Sequence, residues 1–293
     1  MLNLALVKSF VTLAETGSFQ NAAKKLNLAQ PTLSQHIRKL EETLGVQLFE
    51  RGHAKSTPTR EGVEALVMAR SLLETAERMI NAVRSDTLTI GASANIAEFY
   101  LAPLLSAFQR EYDIEWQLKQ AENPDLITQL TAGHVDVIFT EWKPDHDAIE
   151  SQLWRHEPLV VVVPPTHKFA ERKTIALADL SEETILGGAG GSGTGTLLKQ
   201  TFGDATRHLP ETVNVGSTQA VKSAVSSGLG VSIVLAGSVE DEVANGRLHT
   251  LNFEGAGPEK AFYLSYPKSI SSLLQGDESA RGCFVRFVTK RVS

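Results

Sequence analysis

Gln30, Thr32, Ser34, Gln35 and Arg38 stand within the run Gln30-Pro31-Thr32-Leu33-Ser34-Gln35-His36-Ile37-Arg38. Amide, hydroxyl and guanidinium groups at this density are the ones that hydrogen-bond base edges and phosphate oxygens of duplex DNA. Pro31 suits the first turn of a helix. Leu33, Ile37, Leu40 and Leu44 recur at helical spacing, which predicts a helix to about Thr43 with those residues on one buried face and the polar set, with Lys39, elsewhere. Arg51 and Lys55 follow in a Gly-containing basic loop and suit phosphate contact. Upstream, Ser18 sits at an N-cap position, Ala22, Ala23 and Leu26 form an apolar edge, and Asn27 ends the helix. Small residues let two helices cross closely, and two short helices around a tight turn are what pushes the second into a major groove.

Residues 1 to about 62 carry a longer pattern. An apolar first helix (Leu4, Val7, Phe10, Val11, Ala14) is followed by Gly17-Ser18-Phe19, Ala22-Ala23, the Gln30 to Ser34 run, Leu44-Gly45 and Leu48-Phe49-Glu50-Arg51. In this order and spacing the segment resembles the winged helix-turn-helix of LysR-type transcriptional regulators. Ala29 departs from the pattern, since the family usually has Ser or Thr there; the missing hydroxyl removes a capping bond worth roughly 1 kcal/mol. Arg60-Glu61-Gly62 stands where Pro-Ala-Gly is more usual, which changes only how the next helix starts.

Charge follows the same division. Residues 1–60 hold eight Lys or Arg against four Asp or Glu, a balance of +4 in a chain of net charge −6, so the remainder is −10. A basic head on an acidic body suits contact with phosphate at one end only. With 293 residues and 42% hydrophobic content the chain can bury full cores. Its longest apolar run, Leu159 to Val163, falls far short of the roughly 20 residues of a membrane span. Lys8 interrupts the apolar N-terminus and a small-residue cleavage pattern is missing, so the expectation is a cytoplasmic protein without membrane contact. The single cysteine, Cys283, excludes an intramolecular disulfide; it reads as a small residue on the last helix, against the alternative of a redox sensor lacking a resolving partner.

The region from Thr59 to Ser85 predicts one long helix, in which Leu66, Ala69, Leu73, Ala76, Ile80 and Val83 alternate spacings of three and four. That is a coiled-coil seam, with a helix lying on its own domain as the alternative. Pairing through it would set two recognition helices about one DNA turn apart, or a multiple of that, over a two-fold symmetric operator.

Strands and helices then alternate: strands at Thr87 to Gly91, Asp113 to Lys119 and Val135 to Thr140, helices at Ala97 to Glu111 and Asp125 to Ala132. A second unit starts after Leu159 to Val163 and Pro164-Pro165, with strands near Thr184 to Leu186, Val213 to Gly216 and Gly230 to Leu235; Ala261 to Tyr266 and a closing helix, Ala280 to Arg291, return to the first lobe. Two such lobes resemble the periplasmic-binding-protein fold of the effector domain in LysR-type proteins, with Thr131-Ala-Gly-His-Val-Asp136 and Ser227-Gly-Leu-Gly-Val231 as supporting motifs. The expected fold class is thus α/β, with a winged helix-turn-helix (1–58), a linker and dimerisation helix (59–86) and a two-lobed regulatory domain (87–293). Lobe I would take about 87–160 and 262–293, and lobe II about 161–261.

Ligands of such folds sit between the lobes, where strand ends meet helix starts. Candidates are Ser93 and Asn95 in Gly91-Ala-Ser-Ala-Asn95, Thr140 and Glu141 at the end of a strand, Ser192 and Thr194 in Gly190-Gly-Ser-Gly-Thr194, and Ser217 with Thr218. The family resemblance carries over to Ser93, Thr140 and Ser217. Each of these hydroxyls could equally cap a helix or close a strand. Glu141 would repel an anion unless it faces solvent; with Trp142 it could hold a cationic ligand, or it could be a plain exposed loop residue.

Other function classes fit less well. Gly188, Gly190 and Gly193 match the G-x-G-x-x-G fingerprint, but Glu211 falls at the beginning of the next strand, where the ribose partner is needed at its end. The eight histidines show no metal-binding spacing, and no nucleophile elbow or phosphate-binding loop is present. A plain solute-binding protein would leave the basic head unexplained. The resemblance therefore implies a regulator that is not an enzyme and needs no cofactor, with promoter DNA, an unidentified small effector and itself as partners, as a dimer extended to a tetramer. RNA polymerase is a further candidate partner.

Overall fold

The computed structural model describes residues 2–50, 56–84, 87–187, 193–273 and 278–291. The chain divides into two compact units, Met1–Ser85 and Asp86–Ser293.

In the first unit, α1 (Leu4–Thr16) is capped by Asn3, whose Oδ1 accepts the Ala5 N–H at 2.8 Å. Ser18 caps α2 (Phe19–Lys25), accepting the Asn21 N–H, and Asn27, at φ 54°, turns the chain out of it. The next helix, α3 (Gln30–Leu44), starts at Ala29 with Pro31 in its first turn and without a side-chain cap bond, as the missing hydroxyl requires. Leu33, Ile37 and Leu40 are buried against Leu6, Val7, Phe10, Leu13, Ala22 and Ala23. Leu44 is 43% exposed, so the apolar face ends one turn earlier than its spacing predicts. The chain turns away at Gly45 (φ 73°), and the closing contact there is polar: Glu41 Oε1 accepts the Leu48 N–H at 2.8 Å.

The long helix, α4 (Arg60–Arg84), takes its start from Thr59, whose hydroxyl accepts the Gly62 N–H at 3.0 Å and donates to the Gln47 carbonyl at 2.7 Å. Ala69 is buried in the head core, with Ala65, Leu66 and Leu73 half-buried against it. The predicted seam is thus divided. Its first half is used inside the head, because a short three-helix core leaves one side that only a fourth helix can cover. Met68, Leu72, Met79 and Ile80 of α4 remain exposed in the chain.

The second unit continues with β1 (Leu88–Ala92), α5 (Ala94–Phe99), α6 (Leu101–Tyr112), β2 (Trp116–Gln120), α7 (Asn123–Thr131), β3 (Val137–Thr140) and β4 (Ile149–Val163). It goes on through β5 (Thr174–Ile175), β6 (Ile185–Gly187), α8 (Thr194–Phe202), β7 (Val213–Asn214), α9 (Thr218–Ser226) and β8 (Val231–Leu235). Last come α10 (Glu240–Ala244), β9 (His249–Phe253), β10 (Glu259–Pro267) and α11 (Ala280–Thr289). Strands β2, β1 and β3 are parallel neighbours, and β10 then β4 extend this sheet antiparallel. Beyond Pro158 the same β4 enters the second lobe, where it pairs with β8 and β9. Phe108, Phe139, Phe262, Phe284 and Phe287 fill the first lobe's core, so the late strand and the closing helix do return to it. In the second lobe Val161 and Val163 face one apolar cluster, Val160 and Val162 another.

Two predicted elements differ in extent from those observed, and one strand reaches well beyond its apolar run. The helix expected from Ala97 to Glu111 is two helices broken at Tyr100, whose ring is buried in the first core. The strand expected from Asp113 begins at Trp116, because Asp113 adopts the left-handed conformation (φ 50°) that closes α6. The apolar run Leu159 to Val163 is the end of a longer strand that begins at Ile149; the polar, half-exposed first part carries no apolar run to announce it. In the Thr131 to Asp136 motif, Asp136 joins β1 to β3 by accepting the Thr89 N–H at 2.8 Å, while burial raises its carboxyl pKa.

Gly62 is where α4 meets the rest of the head. A Cβ there would lie 2.2 Å from the Leu48 carbonyl oxygen, which is already fixed by accepting the Thr59 N–H. Gly62→Ala must therefore shift the helix off the Phe49–Pro58 bridge. The expected loss is about 1–3 kcal/mol of head stability, read in urea unfolding of the full chain. An unchanged midpoint and slope would show that α4 does not seat where Gly62 places it.

Candidate functional site

Two regions carry polar groups in an arrangement beyond what packing requires. On α3, Gln30, Pro31, Ser34, Gln35, Arg38 and Lys39 are exposed and Thr32 is half-buried, opposite the face of Leu33, Ile37 and Leu40. The helix is held from behind. Ser9 Oγ donates to the Ala5 carbonyl at 2.9 Å and is hydrogen-bonded to His36 Nδ1 at 2.8 Å. Phe10 packs edge-on against Phe49 at 5.6 Å, and Glu15 draws in Lys25 (3.3 Å) and Arg70 of α4 (3.7 Å). A rigid helix with a row of amides, hydroxyls and a guanidinium on its outer face can enter a major groove. Arg51 and Lys55 lie outside the described residues.

The second region lies where β3, α5, α9 and β10 approach. Glu141, after the last residue of β3, forms an ion pair with Lys260 of β10 at 2.5 Å. Both side chains are nearly buried, at 10% and 8% exposure. Ser93 Oγ and Asn95 Nδ2 each donate to Glu141 Oε1, at 3.0 and 3.2 Å. Across the cleft, Thr218 Oγ1 donates to Asn95 Oδ1 at 2.7 Å. Ser93, Asn95, Glu141 and Thr218 thus form one network.

The remaining candidates do other work. Thr140 is fully buried and donates to the Trp142 carbonyl at 2.8 Å, which closes the turn after β3. Ser217 is exposed and caps α9, accepting the Ala220 N–H at 3.2 Å. Thr194 is half-buried in the first turn of α8, after Gly193, and Ser192 lies outside the described residues, as do Gly188 to Gly191. Glu141 is not the exposed loop residue or open cation partner that its position allowed: Lys260 draws it inward. Trp142 stays 45% exposed.

Lys260 was not among the candidates, although the strand period marks it. It shares the buried face of β10 with Phe262 and Leu264, and a lysine at such a position needs a partner. Lys222 of α9 is a second case. It pairs with Glu242 at 3.0 Å, donates to the Ser238 carbonyl at 2.8 Å and lies over the Phe99 ring of α5 at 4.6 Å. At the crossing of β4, Glu157 accepts the Gly237 N–H at 2.7 Å and pairs with Arg155 at 2.7 Å, with the Arg155 guanidinium 5.0 Å from the Tyr100 ring centroid. Burial, then the Glu157 carboxylate, push the Tyr100 hydroxyl pKa far above its ordinary value. Among the described residues no group of three or more His, Cys, Asp or Glu is placed to hold a metal ion, and no helix is long and apolar enough to cross a membrane.

The sequence matches two family models: the bacterial regulatory helix-turn-helix of the lysR family over residues 4–63, and the LysR substrate binding domain over residues 81–275. It is 42% identical to the protein PtxE of Stutzerimonas stutzeri over 199 residues, 66% of this chain and 100% of that one. It is 31% identical to the RuBisCO operon transcriptional regulator of Allochromatium vinosum over 273 residues, 90% of each chain. Among solved structures, full-length CbnR complexed with its target DNA is similar over 100% of both chains, at 25% identity and a TM-score of 0.67. With a DNA-binding helix-turn-helix and an effector-binding domain both matched, the chain belongs to the LysR family of transcriptional regulators.

Proposed function

We propose that α3 reads an operator through Gln30, Thr32, Ser34, Gln35 and Arg38, with Pro31 setting its first turn and Arg51 and Lys55 holding phosphates from the wing. One observation carries this reading: the exposed face of α3 is polar or cationic through its first turns while its other face is locked into the head core. The similarity to a structure solved on its target DNA supports it. Two copies pair through the Met68, Leu72, Met79 and Ile80 side of α4, over a two-fold symmetric operator, and the pairs assemble further into a tetramer. RNA polymerase is the partner at the promoter, and the cytoplasm is where the protein works.

The effector binds between the lobes, against Ser93, Asn95 and Thr218. Asn95 and Thr218 stand on opposite lobes and touch directly, so a ligand that inserts between them changes the lobe arrangement. It acts by its difference in affinity for the closed and opened arrangements.

Replacing Gln35 or Arg38 with Ala should cost about 1–3 kcal/mol at a specific site and relax base preference at the contacted position. Unchanged footprints and site selection in both variants would refute the assignment. For the cleft, Ser93→Leu and Thr218→Val should each weaken effector response by about 1 kcal/mol or more in a promoter-reporter assay across effector concentration. Operator affinity without effector should stay close to wild type in Ser93→Leu, whereas Thr218→Val removes the bond to Asn95 and should move it in the direction the effector does. Full response in both would move the effector elsewhere.

A further inference from the structure

We propose, resting on the effector-cleft reading above, that Ser93, Asn95 and Lys260 form a carboxylate-binding site whose resident occupant is the chain's own Glu141, a built-in competitor that any acid entering the cleft must displace. Three donors of different kinds converge on this one side chain: a hydroxyl at 3.0 Å, an amide at 3.2 Å and an ammonium at 2.5 Å. Ser93 is 5% exposed, and the Glu141 and Lys260 side chains are 10% and 8% exposed. Such a set recognises a carboxylate in a partly desolvated place, where charge-assisted bonds are strong and a lost partner is costly. That it can do so is demonstrated by Glu141 itself.

The place is also one where exchange has an effect. Asn95 gives its Nδ2 to Glu141 and receives Thr218 on its Oδ1, so the amide that holds the resident carboxylate is the one that holds the second lobe. Glu141 follows β3 directly and precedes exposed Trp142, so its side chain has a short path to solvent. A carboxylate on a tether competes at a high effective concentration. Glu141 therefore sets the threshold: an incoming acid must supply enough additional contact to win the three donors. Removal of Glu141 should lower that threshold and let even an acid with no further contacts bind.

The probe is acetate, and the measurement is thermal unfolding of the full-length chain without DNA, in sodium acetate against sodium chloride at equal ionic strength. Glu141→Ala removes the resident carboxylate and leaves Lys260 without that counter-charge. Its melting temperature should rise by about 3–6 °C in acetate beyond chloride, the shift expected once acetate exceeds its Kd about tenfold. Wild type should show under about 1 °C of acetate-specific shift, and Glu141→Ala combined with Lys260→Met should show none. If Glu141→Ala does not fold, Glu141→Gln keeps the side chain's shape and should show the same acetate-specific rise at higher acetate. The proposal is overturned if a folded Glu141 variant responds no more than wild type, or if the double variant responds as fully as the single one. The cleft reading is tested separately: loss of effector response in Ser93→Leu alongside an unmoved Glu141→Ala would keep the cleft and reject the resident carboxylate.

Discussion

Burying Lys260 constrains the whole regulatory cleft. An ammonium group taken out of water costs several kcal/mol unless a counter-ion and hydrogen bonds meet it. The strand period commits Lys260 to the inner face of β10 with Phe262 and Leu264, so the compensation has to be brought to it. Glu141 comes from the end of β3, which pairs with β10, and Thr140 holds that turn by its bond to the Trp142 carbonyl. Ser93 and Asn95 come from the start of α5, directly after β1, the other neighbour of β3, and complete the carboxylate's bonding. Only then does Thr218 of the second lobe find a fixed acceptor in Asn95. The Asn95–Thr218 contact between the lobes, which stands beside that of Lys222 over the Phe99 ring, is in this sense a consequence of one charge on one strand.

The head obeys a simpler constraint. Three short helices cannot enclose Leu33, Ile37 and Leu40 and also seal the side facing Phe49; the first half of α4 does so with Ala65, Leu66, Ala69 and Leu73. A helix that might have been only a spacer is therefore part of the core that fixes α3. Displacement of α4 at its start reaches the recognition helix through packed side chains rather than through a flexible joint, since Thr59 and Gly62 pin it to Gln47 and Leu48.

Local rules made much of this legible. Ser18, Asn27, Pro31 and Gly45 punctuate the head where their conformational preferences say they should, and the parallel order of β1, β2 and β3 follows from the alternation of strands with helices. The division of the α4 seam was not legible, because helical spacing tells which residues share a face but not whether that face meets the same chain or another. The same applies to hydroxyls in the cleft. Ser93, Thr140 and Ser217 look alike as residues before or after an element, yet one donates to Glu141, one closes a turn and one caps a helix. What separates them is a lysine 119 residues beyond Glu141. Pairings at that separation are set by sheet order, which no local pattern encodes.

Strand β4 has a further property. Its second half is a run of four valines, alternately feeding two apolar clusters on opposite sides of the second sheet. Sliding the chain by one position would exchange valine for valine, so the side chains that fill both clusters say almost nothing about alignment. Alignment must come from outside the run: from the pairing of the first half of β4 with β10, from Glu157, held by the Gly237 N–H, and from Pro164, which offers no N–H to continue the ladder. A polar residue here acts as punctuation for an otherwise repetitive message. Its loss would leave the frame of the valine run to be read from the pairing with β10 and from Pro164 alone.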